Sequence, residues 1–166
     1  KDFPKLLENK MIITQGFIGG TSENFTTTLG REGSDYSAAI FAACLNASAV
    51  TIWKDVPGVL NADPKWFNHT KKIDELSYQD AIELTYYGAT VIHPKTIKPL
   101  QNKNIPLYVK SFLQPEQTGT VIKQSDARLN IPSYIFYNLV HIFFCGKNIF
   151  RLSHKNLFCK FFIVTK

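Results

Sequence analysis

A run of glycine and threonine that leads straight into a helical repeat constrains this chain more than any other feature. Thr26-Thr27-Thr28-Leu29-Gly30-Arg31-Glu32-Gly33-Ser34 is followed by Tyr36, Ala39, Ile40, Ala43, Cys44 and Ala47, spaced as one apolar helix face running to about Asn46. Ser34 or Asp35 is placed to cap that helix. Val50-Thr51-Ile52-Trp53 follows as a short apolar strand, and Met11-Ile12-Ile13-Thr14, ended by Gly16, reads as a buried strand upstream. Further on, Ser77-x-x-Asp80 has the form of a capping box opening a helix that stops at Gly88. Pro94 suits the first turn of another helix ending near Gln101. Leu107–Phe112 and Thr120–Ile122 read as two more strands. Strands alternating with helices predict an α/β domain with a mainly parallel sheet covered by helices.

Composition divides the chain in two. Its 166 residues, 45% apolar, suffice for a real core, and the net charge is +6. All 13 acidic residues lie at or before Asp126, where an equal number of Lys and Arg balances them. The excess belongs to Arg128, Lys147, Arg151, Lys155, Lys160 and Lys166. The charge is therefore no argument that the first part binds nucleic acid or membrane. Cys44, Cys145 and Cys159 form neither a disulfide framework nor a metal signature, so a reducing, cytoplasmic setting and no metal site are expected. The opening Lys1-Asp2-Phe3-Pro4 is charged and broken by proline, unlike a signal peptide. With a lone Met at position 11, a preceding piece is expected. The apolar run from Tyr134 to Cys145 falls well short of the roughly 20 residues that cross a bilayer.

Several segments carry chemistry. Glycines before a helix let the backbone approach a ligand, and the helix start offers unpaired N–H groups and the positive end of a dipole. Arg31 adds a fork suited to a carboxylate or phosphate. The segment reads as an anion site at the carboxyl end of the sheet, or equally as a solvated Gly/Thr hairpin leading into an ordinary helix. Lys54 and Asp55 follow a strand, where α/β ligand sites form. Lys54 would neutralise a phosphate and Asp55 would hold a ribose hydroxyl or a metal-bound water, with a solvated turn as the alternative. Asp63-Pro64-Lys65 reads first as a turn with an exposed lysine, and His93-Pro94 first as a helix start.

Four stretches, in order, resemble the aspartokinases. Thr26 to Ala39 looks like their Thr-Thr-Leu-Gly-Arg-Gly-Gly-Ser-Asp signature, and Ile52 to Val59 with Ala62-Asp63-Pro64-Lys65 is similar to their nucleotide-side segment. Tyr87-Gly88-Ala89-Thr90-Val91-Ile92-His93-Pro94-Lys95-Thr96 and Ile105 to Val109 with Gly119-Thr120 match two more. The resemblance covers residues 1–123 and implies the C-terminal part of an amino-acid-kinase catalytic domain, a three-layer α/β/α sandwich. It implies transfer of the γ-phosphoryl group of ATP, with Mg2+, to the side-chain carboxylate of L-aspartate, the first step towards lysine, threonine and methionine. By the same resemblance, Arg31, Gly33 and Ser34 would hold aspartate, Asp35 would organise phosphate, metal or lysine at the reacting end, and Lys54, Asp55, Lys65 and Val91 would lie on the ATP side. L-Aspartate and ATP are the partners implied; neither nucleic acid nor membrane is, and a homo-oligomer is compatible with the family.

The sequence also departs from that family. Glu32 stands where glycine is more usual and must point away from the loop if a carboxylate is to bind there. Thr90 stands where many members have a lysine near the nucleotide. Gly19-Gly20-Thr21-Ser22 resembles the family's phosphate loop, but Phe17 holds the lysine position, so no such role is assigned. The segment with that lysine and the regulatory domains fall outside these residues, so a fragment without aspartate-dependent ATP turnover of its own is expected. Residues 124–166 form a basic, aromatic-rich tail without sustained period or caps. A shifted reading frame explains it best. The alternatives are a strand-rich extension, with Ile142–Phe144 and Phe161–Val164 as strands, and a basic anchor that would make the chain a non-catalytic binding module. A kinase of the same fold with another acceptor also remains open.

Overall fold

The computed structural model describes residues 11–65, 67–86, 91–125 and, as backbone, 162–165. The first described element is a small antiparallel hairpin, β1 (Ile18–Gly20) against β2 (Thr26–Thr28). Thr21 and Phe25 close its turn, where Asn24 takes a left-handed φ of 64°. The strand expected at Met11–Thr14 does not form. Among the described residues they have no strand to pair with, and Met11 and Ile13 are exposed. A short apolar run without a paired neighbour has no stable strand geometry.

Helix α1 (Gly33–Leu45) starts two or three positions earlier than the expected Ser34 or Asp35 cap implies. Its N-cap is Glu32, in the left-handed region, and both Ser34 and Asp35 lie inside its first turn. Its buried side is also rotated from the expected stripe. Ala38, Ala39 and Ala42 are fully buried, while Tyr36, Ile40 and Ala43 are half-buried and Cys44 is exposed. Alanines let the helix approach the sheet closely, and the larger side chains are left at the rim, a preference that hydrophobicity alone does not rank.

The main sheet has the order β4-β6-β5-β3-β7, built from β3 (Ala49–Lys54), β4 (Glu75–Ser77), β5 (Leu107–Ser111), β6 (Thr120–Lys123) and β7 (Phe162–Thr165). β3 pairs with β5 in parallel, with Ile52 opposite Val109 and Lys54 opposite Ser111. β4 and β6 are also parallel, whereas β5–β6 and β3–β7 are antiparallel. The sheet is thus mixed where a mainly parallel one was expected. The connection 112–119 is shorter than the dozen or so residues a parallel crossover needs, so β6 turns back against β5. β7 falls where the strand-extension reading placed a strand; Ile142–Phe144 lies outside the described residues.

Helices α2 (Tyr78–Tyr86) and α3 (Pro94–Gln101) complete the described elements. Ser77 and Asp80 form the expected cap: the Asp80 N–H donates to Ser77 Oγ at 3.0 Å, and Ser77 Oγ donates to Asp80 Oδ2 at 2.6 Å. The expected stop at Gly88 lies outside the described residues. His93 caps α3, its Nδ1 accepting the Lys95 N–H at 3.1 Å, as the helix-start reading expects. One core joins Ala38, Ala39 and Ala42 of α1, Leu84 of α2 and Ile97 and Leu100 of α3 to Val50, Ile52, Leu107, Val109 and Ile122 of the sheet. The intervening residues Thr51, Trp53, Tyr108 and Lys110 are half-exposed, with the Lys110 ammonium 5.6 Å from the Trp53 ring centre. The described residues supply the sheet and one helical layer of the expected sandwich. Tyr78 is buried and donates its hydroxyl to the Ile105 carbonyl at 2.7 Å, and burial pushes its phenol above the usual range.

Candidate anion site at the start of helix α1

Helix α1 precedes β3 and runs back along it, so its first turn meets the last residue of the strand. That geometry brings together residues 19 positions apart. Lys54 Nζ lies 2.9 Å from Asp35 Oδ2, with the lysine 8% and the aspartate 1% exposed. A charge-assisted contact of that length between buried partners is strong, because neither charge has water to fall back on. Lys54 also lies 3.4 Å from Glu32 Oε2, whose side chain is 20% exposed.

The loop ahead of the helix is held by its backbone. The Leu29 N–H donates to the Phe17 carbonyl at 2.8 Å and the Gly33 N–H to the Gly30 carbonyl at 3.0 Å. Gly30 and Glu32, at φ 73° and 56°, set Arg31 between two left-handed residues and present it to solvent. Ser37 ties the arrangement down: its hydroxyl donates to the Gly33 carbonyl and accepts the Phe17 N–H, both at 2.9 Å. Gly33 itself is packed so closely that a Cβ would sit 2.8 Å from the Phe17 ring.

The expected site residues therefore divide. Arg31, Gly33, Ser34, Asp35, Lys54 and Asp55 gather where the start of α1 meets the end of β3. Asp55 is exposed there, next to Lys54. Of the three tasks open to Asp35, it is seen holding a lysine. The N–H of Gly33 is used within the loop, so the first-turn N–H of Ser34 is the better donor to a ligand. Lys65 and Val91 do not join the cluster. The Lys65 N–H closes a turn on Asp63 Oδ1 at 2.9 Å, as the turn reading expects, and Val91 packs against the apolar core. Glu32 does not point away; it turns onto Lys54. Sequence reading missed this contact and the Ser37 tie. The hydroxyl four residues after Gly33 is the signal that reveals the second.

Among the described residues, no three His, Cys, Asp or Glu side chains gather as metal ligands. No helix among them is long and apolar enough to cross a membrane.

The amino acid kinase family model matches residues 1–111. The chain is 48% identical over 116 residues to the chloroplastic bifunctional aspartokinase/homoserine dehydrogenase 2 of Arabidopsis thaliana, covering 70% of this chain and 13% of that protein. It is 46% identical over 119 residues to lysine-sensitive aspartokinase 3 of Escherichia coli, covering 72% of this chain and 26% of that one. The chain thus spans about a quarter or less of the length of these relatives. The crystal structure of E. coli aspartokinase III in complex with aspartate and ADP superposes with a TM-score of 0.71 at 42% identity, over 76% of this chain and 29% of that one.

Proposed function

The chain belongs to the amino acid kinase family, and from that premise we propose that it carries the aspartate-holding loop and part of the nucleotide side of an aspartate kinase site. The observation that carries the proposal is the meeting of the Arg31–Asp35 turn with Lys54 at one end of the sheet. That pattern of residues lies in the region similar to aspartokinases, one of which has been crystallised with aspartate and ADP.

In this reading Arg31 pairs with a carboxylate of L-aspartate, and the N–H of Ser34 adds a donor at the positive end of α1. Lys54, held by Asp35, faces the transferring phosphoryl group, and Asp55 lies beside it on the nucleotide side. Phosphoryl transfer depends mainly on positioning and on neutralising charge, and these residues supply both without a protein nucleophile. Mg2+ brought with ATP would supply charge that screens its phosphates, with Asp55 placed to hold one of its waters. The product is 4-phospho-L-aspartate. A cytoplasmic location and a homo-oligomeric state fit this reading.

Calorimetric titration of the purified chain with possible acceptors, in the presence of ADP and Mg2+, tests it. Saturable L-aspartate binding is expected, with L-glutamate at least about tenfold weaker because its longer side chain misplaces one carboxylate. A preference for carbamate or uridine monophosphate would move the chain to another branch of the fold.

A further inference from the structure

Lys54 carries one positive charge, and two carboxylates converge on it. The two are not equivalent. Asp35 is 1% exposed and sits 2.9 Å from the ammonium, inside the first turn of α1. Glu32 is 20% exposed and sits at 3.4 Å, beyond the 2.7–2.9 Å or so of a tight charge-assisted bond. Glu32 is also the N-cap residue, yet its side chain makes no capping bond to the helix. Its carboxylate is turned towards the lysine and away from the role its position offers.

We propose that Glu32 is a displaceable counter-ion on Lys54. In the unliganded chain its carboxylate takes the side of the ammonium that a polyphosphate occupies on binding, and Asp35 stays in place. The inference rests on the reading of Lys54 as a phosphate-facing residue. The asymmetry of burial decides which carboxylate leaves. Releasing Asp35 would strand a charge away from water, whereas Glu32 can swing into solvent. An anion that binds here must first compete with Glu32, so the residue lowers affinity by the fraction of time it holds the lysine. It also sets a preference: a multiply charged polyphosphate can displace it more readily than a single carboxylate or inorganic phosphate can. Glu32 is thus a residue that separates ligands by charge, while Asp35 keeps the buried lysine matched whether or not Glu32 is displaced.

Titration of the full chain with tripolyphosphate, followed by calorimetry, tests the exchange. Glu32→Gln is expected to tighten binding about fivefold, the effect of losing one partly exposed ion pair. Glu32→Asp keeps the charge but is one methylene shorter, and is expected to shift affinity in the same direction. Unchanged or weaker binding in Glu32→Gln overturns the proposal, as does absence of tripolyphosphate binding from all three proteins. A gain confined to Glu32→Gln also overturns it, because net charge alone would then account for the effect. Tripolyphosphate contains neither acceptor nor nucleoside, so this result is separate from whether L-aspartate is the acceptor.

Discussion

Replacing Lys54 by methionine is expected to destabilise the fold by about 3–5 kcal/mol, the range for breaking a buried ion pair on one side only. Methionine fills much the same space, so the loss comes from charge and not from a cavity. Asp35, 1% exposed, keeps its carboxylate in the first turn of α1 with its cation gone. Glu32 is better exposed and adds little to this loss. The measurement is the urea midpoint, with an unchanged slope showing that stability and not compactness has altered. The paired change Lys54→Met with Asp35→Leu is expected to recover most of the loss, since removing both buried charges removes the need for either. A single-variant loss below about 1 kcal/mol would mean that water reaches the pair, contrary to the geometry described.

Gly119→Ala has a comparable expected effect by an unrelated route. Gly119 takes φ +72°, and a Cβ there would lie 2.1 Å from the Val109 carbonyl oxygen. The obstacle is backbone of the central strand β5, which cannot swing aside as a side chain can. Left-handed strain and overpacking together imply a loss of about 3–5 kcal/mol. The neighbouring turn shows how tightly this junction is fitted. A Cβ on Gly58 would meet Thr120 Oγ1 at 2.4 Å, and that hydroxyl already accepts the Val59 N–H at 2.8 Å and donates to the Ile73 carbonyl at 2.6 Å. Gly20, on the exposed hairpin, is the internal control: its nearest obstacle is 3.9 Å away. Gly20→Ala should change stability by no more than about 0.5 kcal/mol. Equal midpoints for the two alanine variants would contradict the close approach described at Gly119.

These two cases show what the amino-acid order disclosed and what it did not. Local signals were legible. The Ser77–Asp80 cap, the Pro94 helix start, and the strands at Val50–Trp53, Leu107–Phe112 and Thr120–Ile122 all depend on neighbours a few residues apart. Features that depend on tertiary context were not. The buried stripe of α1 is set by how closely alanines can approach the sheet, and periodicity gave a stripe rotated from it. The strand expected at Met11–Thr14 lacked a partner among the described residues, while Gly and Thr residues of low apolar content paired as β1 and β2. At the site, the segments resembling aspartokinases implied shared ligands for Arg31, Ser34, Asp35 and Lys54. They gave no sign that Glu32 turns inward, because that direction follows from a left-handed backbone at φ 56° beside a buried lysine. A short-range reading sees residues; it does not see which way a loop aims them.

Whether the Arg31–Asp35 turn grips L-aspartate is read from calorimetric titration of the chain and its Arg31→Ala variant with L-aspartate. Arg31 is exposed on the loop and outside the core, so its removal should leave the urea midpoint unchanged. Loss of a charge-assisted pair with a carboxylate is expected to weaken L-aspartate binding by about 30- to 100-fold. Equal affinity in the two proteins, or no L-aspartate binding by the unaltered chain, would contradict the account.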